Sequence, residues 1–273
     1  MNEEPLILTV APNGAYKSTS DHAALPITPE ALAATARACL DAGAAMLHLH
    51  VRHPDGRHSL RADHYREAQA AVRAAVGQEL VIQVTTEAAG VYEPAEQVAV
   101  VYELQPEAVS VSLRELLRPG LSESDFSAFF RWLLATQTMT QVILYDAAEV
   151  AQWNQLRARG VIPEGPWFLL FVLGRYTAGQ TSSATDLLPF LQTWDGTHPW
   201  AMCAFGAQEH LCATAALALG GHVRVGFENN LWRRDGHLAP DNASLVRQVA
   251  ESAALAGRPL ASAAQVRARF RGN

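Results

Sequence analysis

Lysine is almost missing from this sequence. Of its 21 lysine and arginine residues only Lys17 is a lysine. A Schiff-base amine or a phosphate-loop lysine could therefore come from one position alone, and Lys17 has no GxxxxGK[ST] context. No GxGxxG occurs either, so the two commonest nucleotide-binding signatures are absent. With no basic run and a formal net charge of -6, nucleic acid is not expected as a partner. Three cysteines, Cys39, Cys203 and Cys212, form no CxxC pair, which excludes a disulfide framework and a thiolate zinc knuckle. They read as small buried apolar residues. The longest apolar run, around residues 167–173, falls far short of the ~20 residues of a membrane helix. The start Met1-Asn2-Glu3-Glu4 lacks the basic head of a signal peptide, so no membrane partner and a cytoplasmic location are expected.

What is present is a globular balance, 49% hydrophobic and 18% charged, arranged in one rhythm. Short β-branched or apolar runs alternate with Ala-rich amphipathic stretches at a period of about thirty-four residues, the spacing of strand-helix units. Strands are expected over residues 6–11, 46–51, 80–85, 108–113, 141–146, 167–173, 200–205 and 223–227. Helices are expected over 29–42, 62–76, 94–104, 122–136, 147–159, 184–193, 208–219 and 244–256. Thr28 before Pro29, and Gly43 after Ala42, mark the two ends of the first helix. Eight units without a break predict a single α/β domain spanning 1–273, a (β/α)8 TIM barrel. A doubly wound open sheet is the alternative, but its glycine fingerprint is missing.

A barrel of this kind places chemistry at the C-terminal ends of its strands. The polar residues that fall there are Asn13, His48, His50, Thr85, Thr86, Glu87, Ser110, Ser112, Asp146, Arg224, Glu228 and Asn229. In Leu47-His48-Leu49-His50-Val51 the two-residue alternation puts both imidazoles on one face and the three apolar side chains on the other. Such a pair suits two corners of a metal site, or forms two satisfied core histidines. Glu228, ending the last strand, could supply a third ligand and leave an open position.

Five separated segments in one order carry a further signal: LTVAPNGA at 8–15, LPITPE at 25–30, AGAAMLHLHVR at 42–52, GHVRVGFE at 221–228 and GRPLA at 257–261. Together they resemble the β-keto acid cleavage enzymes over nearly the whole chain. The resemblance implies a zinc-dependent homotetrameric barrel. It condenses a β-keto acid with acetyl-CoA, then cleaves the adduct to acetoacetate and a new acyl-CoA. It maps the metal ligands onto His48, His50 and Glu228, the arginine of a catalytic arginine-carboxylate dyad onto Arg224, and substrate-binding hydroxyls onto Thr85 and Ser110. The chemistry agrees. A β-keto acid needs its carbonyl polarised and its α-proton removed, and a Lewis-acid metal with an open position does the first.

Two positions depart from the family pattern. Asn229 stands where the dyad has its aspartate, and an amide is no proton acceptor near neutral pH. Glu87 is therefore expected as the base, with Glu209 as second choice. Tyr16 stands where a glutamate recognises an amino-substituted substrate, so a cationic amino acid is not expected. Tyr16, with Trp232, would suit a neutral or apolar side chain. Arg52 and Arg57 could reach a CoA phosphate, and the glycine-bearing loop 174–179 could hold phosphate or pantetheine. Lys17 reads equally as a carboxylate contact or a solvated side chain. Asp146 reads as a helix N-cap, and His53, His58 and His64 as members of a solvated loop. Two other classes remain. One is a barrel hydrolase with a zinc site, though its usual first-strand HxH and final aspartate are unmatched. The other is a binding protein that keeps the metal but has lost the dyad through Asn229.

Overall fold

A computed structural model describes residues 4–271. Its strands are β1 (Leu8–Val10), β2 (Met46–Leu49), β3 (Val51–Arg52), β4 (His58–Ser59), β5 (Val81–Thr85), β6 (Ala108–Ser112), β7 (Met139–Leu144), β8 (Phe168–Leu173), β9 (Trp200–Ala204) and β10 (His222–Val225). The helices are α1 (Pro29–Asp41), α2 (Ala62–Val76), α3 (Pro94–Leu104), α4 (Leu113–Leu116), α5 (Glu123–Ala135), α6 (Ala147–Ala158), α7 (Leu188–Thr193), α8 (Glu209–Ala218), α9 (Asn242–Leu255) and α10 (Ala263–Arg271). Eight parallel strands close in the order β1-β10-β9-β8-β7-β6-β5-β2, which is the (β/α)8 barrel the rhythm predicts.

Strand alternation divides the core into two layers. In β8, Leu169, Phe171 and Leu173 pack against the helices, while Phe168, Leu170 and Val172 belong to a second cluster inside the barrel. β2 obeys the same rule: Leu47 and Leu49 belong to the helix-facing layer and Met46 to the inner one. His48, between the two leucines, therefore points inward. On the outer side Phe130 of α5 lies edge-on to Trp167 at 5.4 Å. Arranged pairs of this kind add about 0.5–1.5 kcal/mol beyond their buried area.

Three local expectations are corrected, and one further helix is found. Val51 leaves the barrel and pairs with Ser59 in the two-residue hairpin β3-β4. Leu113 opens α4 instead of ending β6. The stretch 184–193 splits into a 3-10 turn at Ala184–Leu187 and then α7, which starts at Leu188 with Pro189 in its first turn, where its missing N–H needs no partner. Finally α10 follows the eighth unit, against β5 and β7 at the lower end of the barrel. There Phe270 meets Phe168 at 4.9 Å, and Glu107 takes Arg267 at 3.0 Å, Arg271 at 3.8 Å and Arg73.

The barrel closes where β1 meets β10, with Thr9 opposite Arg224 and Val10 opposite Val225. Ala11 N–H donates to the Val225 carbonyl at 2.8 Å, and Glu228 N–H to the Ala11 carbonyl at 3.1 Å. Gly226, between them, has φ +142°, and a Cβ there would lie 2.3 Å from the Ala11 oxygen. Asn242 clamps the same seam, donating to the Pro12 carbonyl and accepting from Phe227 N–H. Gly226→Ala is expected to cost about 1–3 kcal/mol, the usual range for overpacking. Urea unfolding measures it, and an unchanged midpoint would contradict the closeness of this contact.

Candidate metal centre and active site

A cavity of about 440 Å³ opens at the C-terminal mouth, and every one of the eight barrel strands contributes to its lining, through the strand itself or the loop after it. Asn13, Tyr16 and Lys17 come from the loop after β1, His48 from β2, Thr85, Thr86 and Glu87 from the end of β5, and Ser112 from β6. Arg175 follows β8, and Arg224 and Glu228 belong to β10 and the turn beyond it. Of the expected site residues, His50, Ser110 and Asn229 do not line the cavity. His50 lies just behind His48, while the Ser110 hydroxyl and both polar atoms of the Asn229 amide are buried without a hydrogen-bond partner.

His48, His50 and Glu228 converge. Their ligand atoms lie within 4.8 Å of one another: His48 Nε2 is 3.0 Å from His50 Nε2, and Glu228 Oε2 is 3.6 and 3.5 Å from the two. Glu228 Oε2 is buried and accepts no hydrogen bond, which costs free energy unless a cation sits beside it. The tautomer of His48 is set from behind: its Nδ1 meets Gln83 Oε1 at 2.8 Å, and Gln83 Nε2 donates to Gln141 Oε1 at 3.2 Å. A proton on Nδ1 leaves Nε2 with a free lone pair facing the cluster. Two imidazoles and a carboxylate in a buried set form a tetrahedral-type donor group with one position to spare. These residues fit a divalent metal.

Electrostatics keeps the donors in their binding forms. Burial alone would raise the Glu228 carboxyl, but the Arg224 guanidinium beside it holds it well below the usual range. Burial, then Arg224, drives the His48 imidazole far down, so it stays neutral. Arg224 Nη2 donates to Glu228 Oε1 at 2.9 Å, while its Nε and Nη1 are buried with no partner. The arginine-carboxylate pair in this chain is therefore Arg224 with Glu228, and Asn229 takes no part in it. A Cβ on Gly14 would lie 2.6 Å from Glu228 Cγ, and Lys17 Nζ donates to the Glu228 carbonyl at 2.7 Å. The loop after β1 thus packs directly on the acid.

Glu87 stands beside this group, Oε2 at 3.8 Å from His50 Nε2 and Oε1 at 3.5 Å from Arg175 Nη2. Glu209, the second-choice base, is elsewhere. It is fully buried behind the last turn, accepting from Gly226 N–H at 3.2 Å and Asn230 Nδ2 at 3.1 Å, and it does not line the cavity. Asp146 is an N-cap, accepting from Glu149 N–H. Arg52 is spent on the carbonyls of Gly14, Lys17 and Gly56. Arg57 is exposed against Asp55. His58 is buried in β4 and hydrogen-bonded to the Glu87 carbonyl at 2.8 Å, not part of a solvated loop. Trp232 lies outside the cavity; the aromatic partner near Tyr16 is Phe205, through Arg175. Reasoning from sequence did not reach Asp21, Glu115, Ile143, Tyr145, Val172, Gln180 or Phe205, which also line the cavity. Nothing in their local pattern separates them from ordinary strand-end residues.

The sequence profile of the beta-keto acid cleavage enzyme family matches residues 5–271. A 3-keto-5-aminohexanoate cleavage enzyme of Fusobacterium nucleatum is 29% identical over 269 residues, 97% of each chain. A 3-oxoadipate:acetyl-CoA acetyltransferase of Cupriavidus necator is 29% identical over 273 residues, covering 97% of this chain and 94% of its own. Among solved structures, apo ObcA superposes with a TM-score of 0.72 at 19% identity, over 90% of this chain; the chain spans 65% of that longer protein, a likeness in fold.

Burial pushes the Glu209 carboxyl up to about 8 from 4.5. The folded state then keeps a proton that the unfolded chain has released. The stability this proton contributes is complete below about 4.5 and is lost as pH rises to about 8. The difference in unfolding free energy between Glu209→Gln and the parent should therefore shift toward the variant from pH 5 to pH 8 and level off above. A pH-independent difference, measured in urea, would rule this out.

Proposed function

The chain belongs to the beta-keto acid cleavage enzyme family, and from that membership we propose that it condenses a β-keto acid with acetyl-CoA and cleaves the adduct to acetoacetate and a new acyl-CoA. Relatives named as acetyl-CoA-dependent transferases support the class of reaction. The observation that carries the reading is the convergence of His48, His50 and Glu228 beside an arginine with two unpartnered nitrogens, in a cavity at the barrel mouth.

In this reading the triad holds a zinc ion, which supplies Lewis-acid polarisation of the keto group when bound. Arg224 takes the reacting carboxylate with its free donors, and the hydroxyls of Thr85, Thr86 and Ser112, with Asn13, orient the substrate. Glu87 removes the α-proton. The resulting enolate carbon bonds to the acetyl carbonyl and the CoA thiolate leaves. The thiolate then adds to the substrate's original keto carbon, the bond between that carbon and the α-carbon breaks, and the α-carbon is reprotonated as acetoacetate departs.

The reading includes a single-domain homotetramer in the cytoplasm, carried over from the family; no helix among the described residues is long and apolar enough to cross a membrane. With Tyr16 in the cavity in place of a carboxylate, a cationic substrate is not favoured. A metal-retaining protein without turnover is the second reading, motivated by the unpartnered Asn229 amide.

Elemental analysis should find near-stoichiometric zinc, lost in the His48→Ala, His50→Ala double variant, with acyl-CoA formed by the parent from acetyl-CoA and a mixed β-keto acid panel. Metal without thioester product would favour the second reading, and no metal would reduce both histidines to core residues. Glu87→Gln should lower kcat by about 10²–10⁴-fold, the range for general acid-base groups; retention of most of kcat would remove Glu87 from the role. Gln83→Leu, which removes the acceptor behind His48, should weaken metal binding by about 10–100-fold in a chelator competition.

A further inference from the structure

One cation in the cavity has no task in the reaction above. Arg175, in the loop after β8, lines the chamber but pairs with none of the metal-binding triad. Its one carboxylate neighbour among the described residues is Glu87, at 3.5 Å from Nη2. That distance exceeds the 2.7–2.9 Å of a good charge-assisted hydrogen bond. Its guanidinium donates no hydrogen bond within the described residues. The side chain is only 18% exposed, so few waters serve its five donors.

What fixes Arg175 is aromatic. Its guanidinium carbon stands 4.7 Å from the centre of the Tyr16 ring and 5.2 Å from that of Phe205. Stacking of this kind sets the plane of the fork and leaves its edges open, the arrangement suited to a planar carboxylate. Apart from Glu87, the other charged residues that line the chamber have partners elsewhere, Asp21 accepting from Ser18 N–H at 2.7 Å. Glu115 turns Oε2 to Ala88 N–H at 3.0 Å and Gln97 Nε2 at 2.7 Å. Lys17 is on the Glu228 carbonyl and Arg224 on Glu228 itself.

A substrate filling this cavity would strip the remaining water from Arg175. A neutral or apolar distal end would leave the guanidinium with donors unpaired, which is costly. A cationic end would be set against a like charge. Resting on the reaction proposed above, we infer that the substrate is a short β-keto dicarboxylate, its reacting carboxylate at the Arg224 end and its distal carboxylate bound in the fork of Arg175. Tyr16 is then a positioning residue that orients Arg175. It does not serve as the wall of an apolar pocket.

The test compares chain-matched β-keto acids ending in carboxylate, methyl and ammonium on the zinc-loaded parent and on Arg175→Met and Arg175→Lys. The carboxylate-ended acid should have the highest kcat/KM in the parent. Its advantage over the methyl-ended acid should fall by about 100-fold in Arg175→Met, as expected when one partner of a buried charge pair is removed, and partly return in Arg175→Lys. A parent that prefers the methyl-ended acid would overturn the inference and leave the family reaction standing, and this arm needs no variant to fold. Absence of thioester product from every acid would instead overturn the reaction. Calorimetry with glutarate against butyrate then decides the binding claim by itself: tighter glutarate binding that depends on Arg175 supports it, and equal affinities overturn it.

Discussion

Closure of the barrel between its first and last strands is the constraint on which the site depends. β1 and β10 are separated by most of the sequence, yet their register places Thr9 opposite Arg224. The same seam passes the Glu228 N–H to the Ala11 carbonyl and requires glycine at 226. Because β2 is the other neighbour of β1, closure brings the carboxylate of the last turn to the imidazoles of the second strand. A slip of one residue would turn Arg224 from the lumen to the helix layer, and with it the group that holds Glu228 ionised.

Glu228 is the joint of this arrangement because its two oxygens face different partners. One is committed to Arg224 at 2.9 Å, and the other stands free between His48 and His50. Burial penalises an ionised carboxylate, a guanidinium and an imidazolium alike. The set resolves that by keeping the His48 imidazole neutral and by pairing the acid with the arginine. Glu228 Oε2, buried between the two imidazoles without a hydrogen bond, is the acceptor that a cation would satisfy.

Much of this was legible in the sequence because it rests on local periodicity. Two-residue alternation turned His48 and His50 inward, and the thirty-four-residue rhythm gave the eight units and put Glu228 at a strand end. Illegible parts are those made by closure in space. Arg175 and Tyr145 lie in two different loops and Glu115 in α4, and only the barrel brings them to one cavity. The exchange of Asn229 for Glu228 as the partner of Arg224 depends on how the turn after β10 winds, which no spacing reveals. The hairpin β3-β4 has two residues in each strand, too few for a pattern. In α10 only Ala263, Val266 and Phe270 are buried among arginines, so its apolar stripe is narrow.

That last helix has a consequence for how the chain reaches its native state. Glu107 and Arg267 meet across 160 residues of sequence, and Phe270 rests on Phe168. Loop-closure entropy makes contacts of such separation slow to form. During synthesis the barrel floor has no cover until the segment beyond β10 has emerged, and until then the inner layer at Phe168 is open to solvent from below. Between completion of the eighth strand and docking of α10, a nascent chain therefore leaves the apolar face at Phe168 without the Phe270 ring that covers it in the folded barrel.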